Sequence, residues 1–265
     1  MTLTQTERRR VAVIIPAYQE ERLLPMTLRG IPSWVDLIIV IDDASTDQTR
    51  DVAQAFAQEV NGHRISNGPQ VRVLSLSANQ GVGRAIAIGY LEAWGAGADV
   101  AIVMGADAQM DPREISSLLD ALTSKVAYVK GTRMRHPEVR ARMPRIRYAG
   151  NKALSILTRW IMGAPWLSDA QCGYTALDLR WLPLISLAHL YPRYGFPNDV
   201  LLRLSEAGAI VRQVDVTPIY GDERSKLSIP KVILPLLGVL GRGVMRRALG
   251  ATSAHRAEDL IKRDP

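Results

Sequence analysis

Four short apolar runs, at residues 11–15, 37–41, 71–76 and 101–104, each break into a polar turn and then a helix-forming stretch. Strand, turn and helix repeated in this order mark right-handed βαβ units, because parallel neighbours need a crossover and a helix supplies it. A fifth run, at 126–129, follows the fourth helix. The expected fold is α/β, a mostly parallel sheet flanked by helices. In such sheets ligands bind in the crevice outside the C-terminal strand ends.

The turns at those ends carry the chemistry. The fourth run leads into Gly105-Ala106-Asp107-Ala108-Gln109, a carboxylate and an amide just past a strand. Both offer hard oxygens of the kind Mg²⁺ or Mn²⁺ prefers, with a substrate diphosphate completing the shell. The plainer reading is that Asp107 caps a turn. Asp111, before Pro112 and three residues ahead of Glu114, has the pattern of a helix cap with a capping-box partner. The second run ends in Asp42-Asp43, whose side chains alternate in direction and so do different jobs. Ser45 or Thr46 is the expected cap of the helix at 48–60. The third run passes through Asn79-Gln80-Gly81-Val82-Gly83 into a helix at 84–94. Glycines at such a turn let a phosphate approach a helix N-terminus. Here Ile86 replaces the third glycine and the turn follows the third strand, which argues against a nicotinamide dehydrogenase. Close backbone packing or a sugar-nucleotide contact fits as well.

Beyond residue 130 the chain becomes basic. Arg133, Arg135, Arg140, Arg142, Arg145 and Arg147 crowd residues 133–147, Arg242, Arg246 and Arg247 form a second group, and the net charge is +7. An anionic partner follows: nucleic acid, anionic lipid or a phosphate-bearing substrate, unless this is only a solvated basic face. Acidic strand ends would repel a nucleic acid, so no nucleic-acid partner is expected. Helical spacing covers 146–162 and 181–190, with a polar turn at 168–174 between them. Asn198 should cap a helix ending near Gly208, which leaves Asp199 as a first-turn carboxylate or an active-site group. A last strand is expected at 210–216. Residues 228–249 are apolar but interrupted by Lys231 and Arg242, and the uncharged run 232–241 falls short of the roughly twenty residues that span a bilayer. This segment either lies on a membrane surface or packs on the core. The single cysteine, Cys172, excludes an internal disulfide and fits a reducing cytoplasm, and no secretory signal is expected before Pro16.

Taken in order, VIIPAYQEE, IIVIDDASTDQT, ANQGVGRAIAIG, MGADAQMDP, KGTRM, SDAQCGY and ERSKL make residues 11–230 resemble the family 2 glycosyltransferases. The resemblance is to the branch that transfers mannose or glucose to dolichyl or polyprenyl phosphate. It implies a GT-A domain over 11–228, with a nucleotide-binding half at 11–130 and an acceptor half at 131–228. A loose tail at 1–10 and a helical segment at 229–265, on the membrane surface or packed on the core, would flank it. It implies an inverting transfer from a GDP- or UDP-sugar to a polyprenyl phosphate, by a protein peripheral to the inner face of the membrane. Pro16, Tyr18 and Glu20 would line the nucleotide pocket, Asp43 would accept from the base, and Gly81, Ala106 and Asp107 would complete the donor site. Asp107 and Gln109 would hold Mg²⁺ or Mn²⁺. Arg133, Arg147 and Lys226 would face phosphates.

Two positions depart from the family pattern. Gly105 stands where the family has the first Asp of Asp-x-Asp, so one metal carboxylate is missing. Tyr220 stands where an Arg is common, and Arg224 is the nearby substitute. A lipid phosphate is mostly a dianion at neutral pH and needs no general base. A sugar or alcohol hydroxyl would need one, and Asp199 is the candidate. The non-enzymatic alternative is a nucleotide-sugar-binding protein weakened by Gly105.

Overall fold

The computed structural model describes residues 8–62, 68–162, 164–193 and 195–220, together with Gly238 and Gly241. The expectations for residues 229–265, Arg224 and Lys226 lie outside the described residues. In chain order the elements are β1 (Val11–Ala17), α1 (Leu24–Gly30), β2 (Leu37–Asp42), α2 (Thr49–Gly62), β3 (Gln70–Ser75), α3 (Val82–Gly95) and β4 (Val100–Val103). There follow α4 (Ile115–Ala121), β5 (Val126–Thr132), α5 (Val139–Arg142), α6 (Arg145–Met162), β6 (Thr175–Asp178), α7 (Leu182–Ile185), α8 (Phe196–Glu206) and β7 (Ile210–Asp215).

The strands form one sheet in the order β3-β2-β1-β4-β6-β5-β7. β1 pairs in parallel with β2 and β4, β2 with β3, and β5 with β7, so the sheet is mostly parallel as expected. β6 was not expected. It runs antiparallel between β4 and β5, and its four buried residues are too few to show a period. Its direction matters for the site. Thr175, the first residue of β6, lies opposite Val103 at the end of β4 and Lys130 near the end of β5. Residues 168–174 therefore arrive at the edge where the parallel strands end.

Each central strand is covered on both faces, which explains its unbroken apolar run. Ala12 and Ile14 pack into the cluster that includes α3 and α8, while Val11, Val13 and Ile15 pack with α1 and α4. Gly89 brings α3 down onto β1. A Cβ there would stand 2.3 Å from Ile14 Cγ2, so no larger residue fits without displacement.

Several helix ends differ from the sequence expectation. The first helix, expected at 20–30, begins only at Leu24, after left-handed Gln19 (φ 55°) and a Glu20 N–H that donates to Thr49 Oγ1. Asp47, not Ser45 or Thr46, caps α2, accepting from the Thr49 N–H at 3.1 Å. Asp111 does cap the 3-10 turn Pro112–Glu114 ahead of α4. Glu114 does not close a capping box, because its Oε1 accepts from the N–H and hydroxyl of Thr217. The helix expected at 181–190 breaks at left-handed Ser186 into α7 and a 3-10 turn. α8 begins before Asn198, which lies buried inside its first turn without capping it.

Candidate active site

Three loops meet beyond the C-terminal ends of β1, β2 and β4, and side chains tie them together. Gln19 donates from its backbone N–H to Ser45 Oγ (3.0 Å) and from Nε2 to Thr46 Oγ1 (2.9 Å). The Gln48 N–H donates to Glu21 (2.9 Å), and the Ala108 N–H to Thr27 Oγ1 of α1 (3.2 Å). Each loop holds one non-glycine residue in the left-handed region: Gln19 at 55°, Ala44 at 59° and Ala108 at 56°. Such conformations cost about 1 kcal/mol or more apiece and gather at functional sites.

Of the expected donor residues, Pro16 pairs with Ile41 near the end of β1, while Tyr18 and Glu20 follow in its loop. Tyr18 is exposed. Asp42 and Asp43 do different jobs, as their alternation requires. Asp42 accepts from the Ser45 N–H, whereas buried Asp43 accepts from the N–H groups of Gln80 (2.7 Å) and Gly81 (2.8 Å). Asp43 thus fixes the glycine turn. Gly81 adopts φ 95° with the Pro192 carbonyl 2.6 Å from where its Cβ would be, and a Cβ on Gly83 would meet Tyr191 O at 2.5 Å. The two glycines allow this close approach of Tyr191, Pro192, Arg193 and Phe196.

In the third loop Asp107 Oδ1 accepts from the Gln109 N–H at 3.2 Å, the turn-capping geometry foreseen for it. Gly105 lies directly beneath, and its missing Cβ would sit 2.9 Å from the same oxygen. Ala106 is buried between them. Among the described residues no group of three or more His, Cys, Asp or Glu side chains gathers as a metal cluster. Asp107 and the Gln109 side-chain amide, the two donors expected from the sequence, would by themselves make only a partial donor set. It suits an ion that takes one or two carboxylates and draws the rest from substrate phosphates.

The second half of the site lies across β6, at the end of β5. Arg133 donates to both oxygens of fully buried Asp169, Nε to Oδ2 at 2.9 Å and Nη2 to Oδ1 at 3.2 Å, and its backbone N–H adds a third bond at 3.2 Å. Burial works against the charge on Asp169, but Arg133 and then Lys130 outweigh it and hold the carboxyl below its usual range. Burial likewise opposes the charge of Arg133, and Asp169 overcomes this, so the guanidinium stays protonated. Lys130, completely buried, donates to the Cys172 carbonyl. Burial pushes its pKa down and that of the Cys172 thiol up. The Arg147 guanidinium of α6 lies 5.9 Å from the centre of the Tyr220 ring, a cation–π arrangement. Tyr220 in turn lies within electrostatic reach of Arg133. Arg133, Arg147 and Tyr220 form one basic-aromatic cluster.

The two halves are joined. The Tyr174 hydroxyl donates to the Asp111 carbonyl at 2.8 Å, and Met110 Cε would be 3.4 Å from a Cβ on Gly173. Asp199 adjoins the glycine turn through Tyr191, whose carbonyl abuts Gly83. It is buried in the first turn of α8, accepts from the Tyr191 N–H at 2.9 Å, and pairs with Arg203 at 3.3 Å. Sequence reasoning missed Asp169 and Lys130. The polar turn that holds Asp169 was visible, as was Lys130 just after the fifth run, but only β6 brings that turn to Arg133.

Comparison with known proteins fits this geometry. The family model described as "Glycosyl transferase family 2" matches residues 12–182. An undecaprenyl-phosphate mannosyltransferase of Micrococcus luteus is 31% identical over 211 residues, covering 78% of this chain and 83% of its own. A UDP-N-acetylglucosamine–dolichyl-phosphate N-acetylglucosaminyltransferase of Methanococcus voltae is 28% identical, covering 79% and 86%. The fold is that of the glucosyl-3-phosphoglycerate synthase of Mycobacterium tuberculosis crystallised with Mn²⁺, UDP and phosphoglyceric acid. The TM-score is 0.64 at 21% identity, over 88% of this chain and 79% of that one.

Proposed function

The chain belongs to glycosyl transferase family 2, and we propose that it moves a sugar from a nucleotide-sugar donor to a polyprenyl phosphate. The observation that carries this reading is the two-sided site. An acidic loop at the end of β4 and a basic-aromatic cluster at the end of β5 are held at one sheet edge by the bond from Tyr174 to Asp111. The donor occupies the first side, against the loops of Tyr18, Glu20, Asp43, Gly81 and Ala106. The acceptor phosphate occupies the second, against Arg133 and Arg147.

The reaction is a single displacement at the anomeric carbon. The bond to the nucleoside diphosphate breaks as an acceptor oxygen bonds from the opposite face. A phosphate acceptor is already anionic and needs no general base. That suits a site whose buried carboxylates Asp169 and Asp199 each already pair with an arginine. Arg133, kept charged by Asp169, supplies positive potential where phosphate charge sits. A divalent ion held by Asp107 and Gln109 would neutralise the departing diphosphate.

The test has two stages. UDP- and GDP-sugars are screened for thermal stabilisation, since a ligand that binds only the native state raises stability by RT ln(1 + [L]/Kd). The best donor is then incubated with a polyprenyl phosphate and Mg²⁺ or Mn²⁺, and lipid-linked sugar is measured. Transfer to water or to an alcohol but never to the lipid phosphate would refute the acceptor assignment.

A further inference from the structure

Helix α6 packs Leu154 and Leu157 against the core, yet its outer face is apolar as well. Its inward face carries Ser155, whose hydroxyl accepts the Ala170 N–H, and Thr158, at 3% and 0% exposure. Its outward face carries Ile146 at 73%, Ile156 at 52% and Trp160 at 82%. With exposed Ala149 and Ala153 these make an unbroken apolar stripe at 146, 149, 153, 156 and 160, stepping by three and four residues. A helix that stabilised only its own domain would place the tryptophan inward. Arg145, Lys152 and Arg159 run along one flank of the stripe at seven-residue intervals, and the helix contains no Asp or Glu. Just beyond its end Trp166 is exposed, beside a depression of about 240 Å³ lined by Ala164, Leu201, Ile210 and Val211.

We propose that this outer face of α6 docks on an anionic lipid surface, apolar stripe into the acyl boundary and basic flank among the headgroups. Charge complementarity selects this occupant. A second copy packing stripe to stripe would set cations against cations, with no carboxylate on either helix to answer them. A lipid surface of opposite sign accepts both features at once, and tryptophan favours such interfaces. The docked face also abuts the site. Ile146 and Arg147 are neighbours on one helix turn, the first turned outward and the second toward Tyr220. A phosphate at the lipid surface would thus meet the cluster of Arg133, Arg147 and Tyr220 without leaving the headgroup layer. That last placement rests on the proposed acceptor, whereas the docking itself does not.

The test floats the full-length protein with vesicles of mixed phosphatidylglycerol and phosphatidylcholine, against phosphatidylcholine alone. Tryptophan emission is followed with brominated lipid in the bilayer. Wild type is expected to float with the anionic vesicles only, and Trp160→Phe to lose most of the quenching. Because a basic residue near an anionic surface contributes roughly fivefold in binding, Arg145→Gln with Lys152→Gln should weaken flotation by about tenfold or more. Ile156→Glu with Trp160→Glu should abolish it without moving the thermal midpoint. The proposal is overturned if wild type does not float, if the glutamate variant floats as well as wild type, or if Trp160→Phe is quenched undiminished. It is equally overturned if the glutamate variant turns a dimer into a monomer, or melts lower in the absence of lipid, since the stripe is then covered by protein. Stabilisation by nucleotide sugars is read separately, so failure of the transferase reading leaves the flotation result standing.

Discussion

Asp169 grips Arg133 from beneath with both carboxylate oxygens, 36 residues along the chain and one strand away. A buried ion pair of this kind is weak grounds for net stability, yet breaking it from one side is costly, about 3–5 kcal/mol, because the remaining charge stays buried. Asp169→Asn is therefore expected to lower stability by about 3 kcal/mol near neutral pH. The pH dependence follows from the depressed carboxyl of Asp169. Its contribution is complete above the unfolded carboxylate range, near 4, and is lost as pH falls through the lower folded value. Denaturant titrations should show the gap between wild type and variant narrowing below about pH 4. A gap that stays constant to pH 2 would contradict the pairing. In the transferase assay the same variant should lower kcat more than it raises the donor KM, since Arg133 would be present but unfixed.

Two glycines in helices make a contrasting pair. In Gly89→Ala the new methyl collides with Ile14 in the centre of the sheet, and overpacking of this kind costs about 1–3 kcal/mol. Gly150 in α6 has no heavy atom within 4 Å of the position its Cβ would take. Gly150→Ala should therefore gain up to about 1 kcal/mol from helix propensity alone. Urea midpoints of the two variants should move in opposite directions.

What the sequence revealed follows from range. β1, β2 and β4 were legible because burial on both faces leaves an apolar run that nothing local interrupts, whereas β3, half-buried at the sheet edge, showed as a shorter apolar stretch broken by Arg72. Asp107 and the basic character after residue 130 were legible because each depends on neighbours only a few residues away. The pairing of Asp169 with Arg133 and the grip of Asp43 on Gln80 and Gly81 were not, because each joins residues 36 to 38 positions apart. β6 hid for a different reason. Four buried residues, Thr175-Ala176-Leu177-Asp178, carry neither alternation nor a long apolar run, and only the gap between β4 and β5 selects them. The motif resemblance supplied Arg133 and Arg147 as partners before any geometry joined them to Tyr220.

Asp107→Ala separates the two readings of that carboxylate. The loss of one turn bond in a partly exposed loop should cost no more than about 1 kcal/mol. If Asp107 holds the diphosphate's metal ion, transfer should fall by at least about a hundredfold, and raising Mn²⁺ should recover part of it. Near wild-type turnover would leave Asp107 as a turn cap only.

At Gly105, where the resemblance would place the first Asp of Asp-x-Asp, we propose that the missing carboxylate weakens a metal site. The φ of Gly105 is not in the left-handed region, so the backbone does not demand glycine. The three atoms nearest its missing Cβ all belong to the Asp107 carboxylate, the closest at 2.9 Å. The absent side chain has left room for Asp107 to fold back and cap its own turn. With one carboxylate so disposed, the free protein should bind Mn²⁺ weakly, and a nucleoside diphosphate should strengthen binding by bringing oxygens of its own. Linkage makes this mutual, so Mn²⁺ should tighten the nucleotide by the same factor. In Gly105→Asp the new side chain displaces only the flexible end of Asp107, which can swing away. Two adjacent carboxylates then repel until a dication sits between them. The variant should lose a little stability without metal, regain it with Mn²⁺, and bind Mn²⁺ more tightly than wild type in the absence of nucleotide. Calorimetric titration of Mn²⁺ into both proteins, each with and without nucleoside diphosphate, gives four affinities. Wild type without nucleotide should be the weakest of the four, and equal values throughout would mean that Gly105 has no bearing on metal binding.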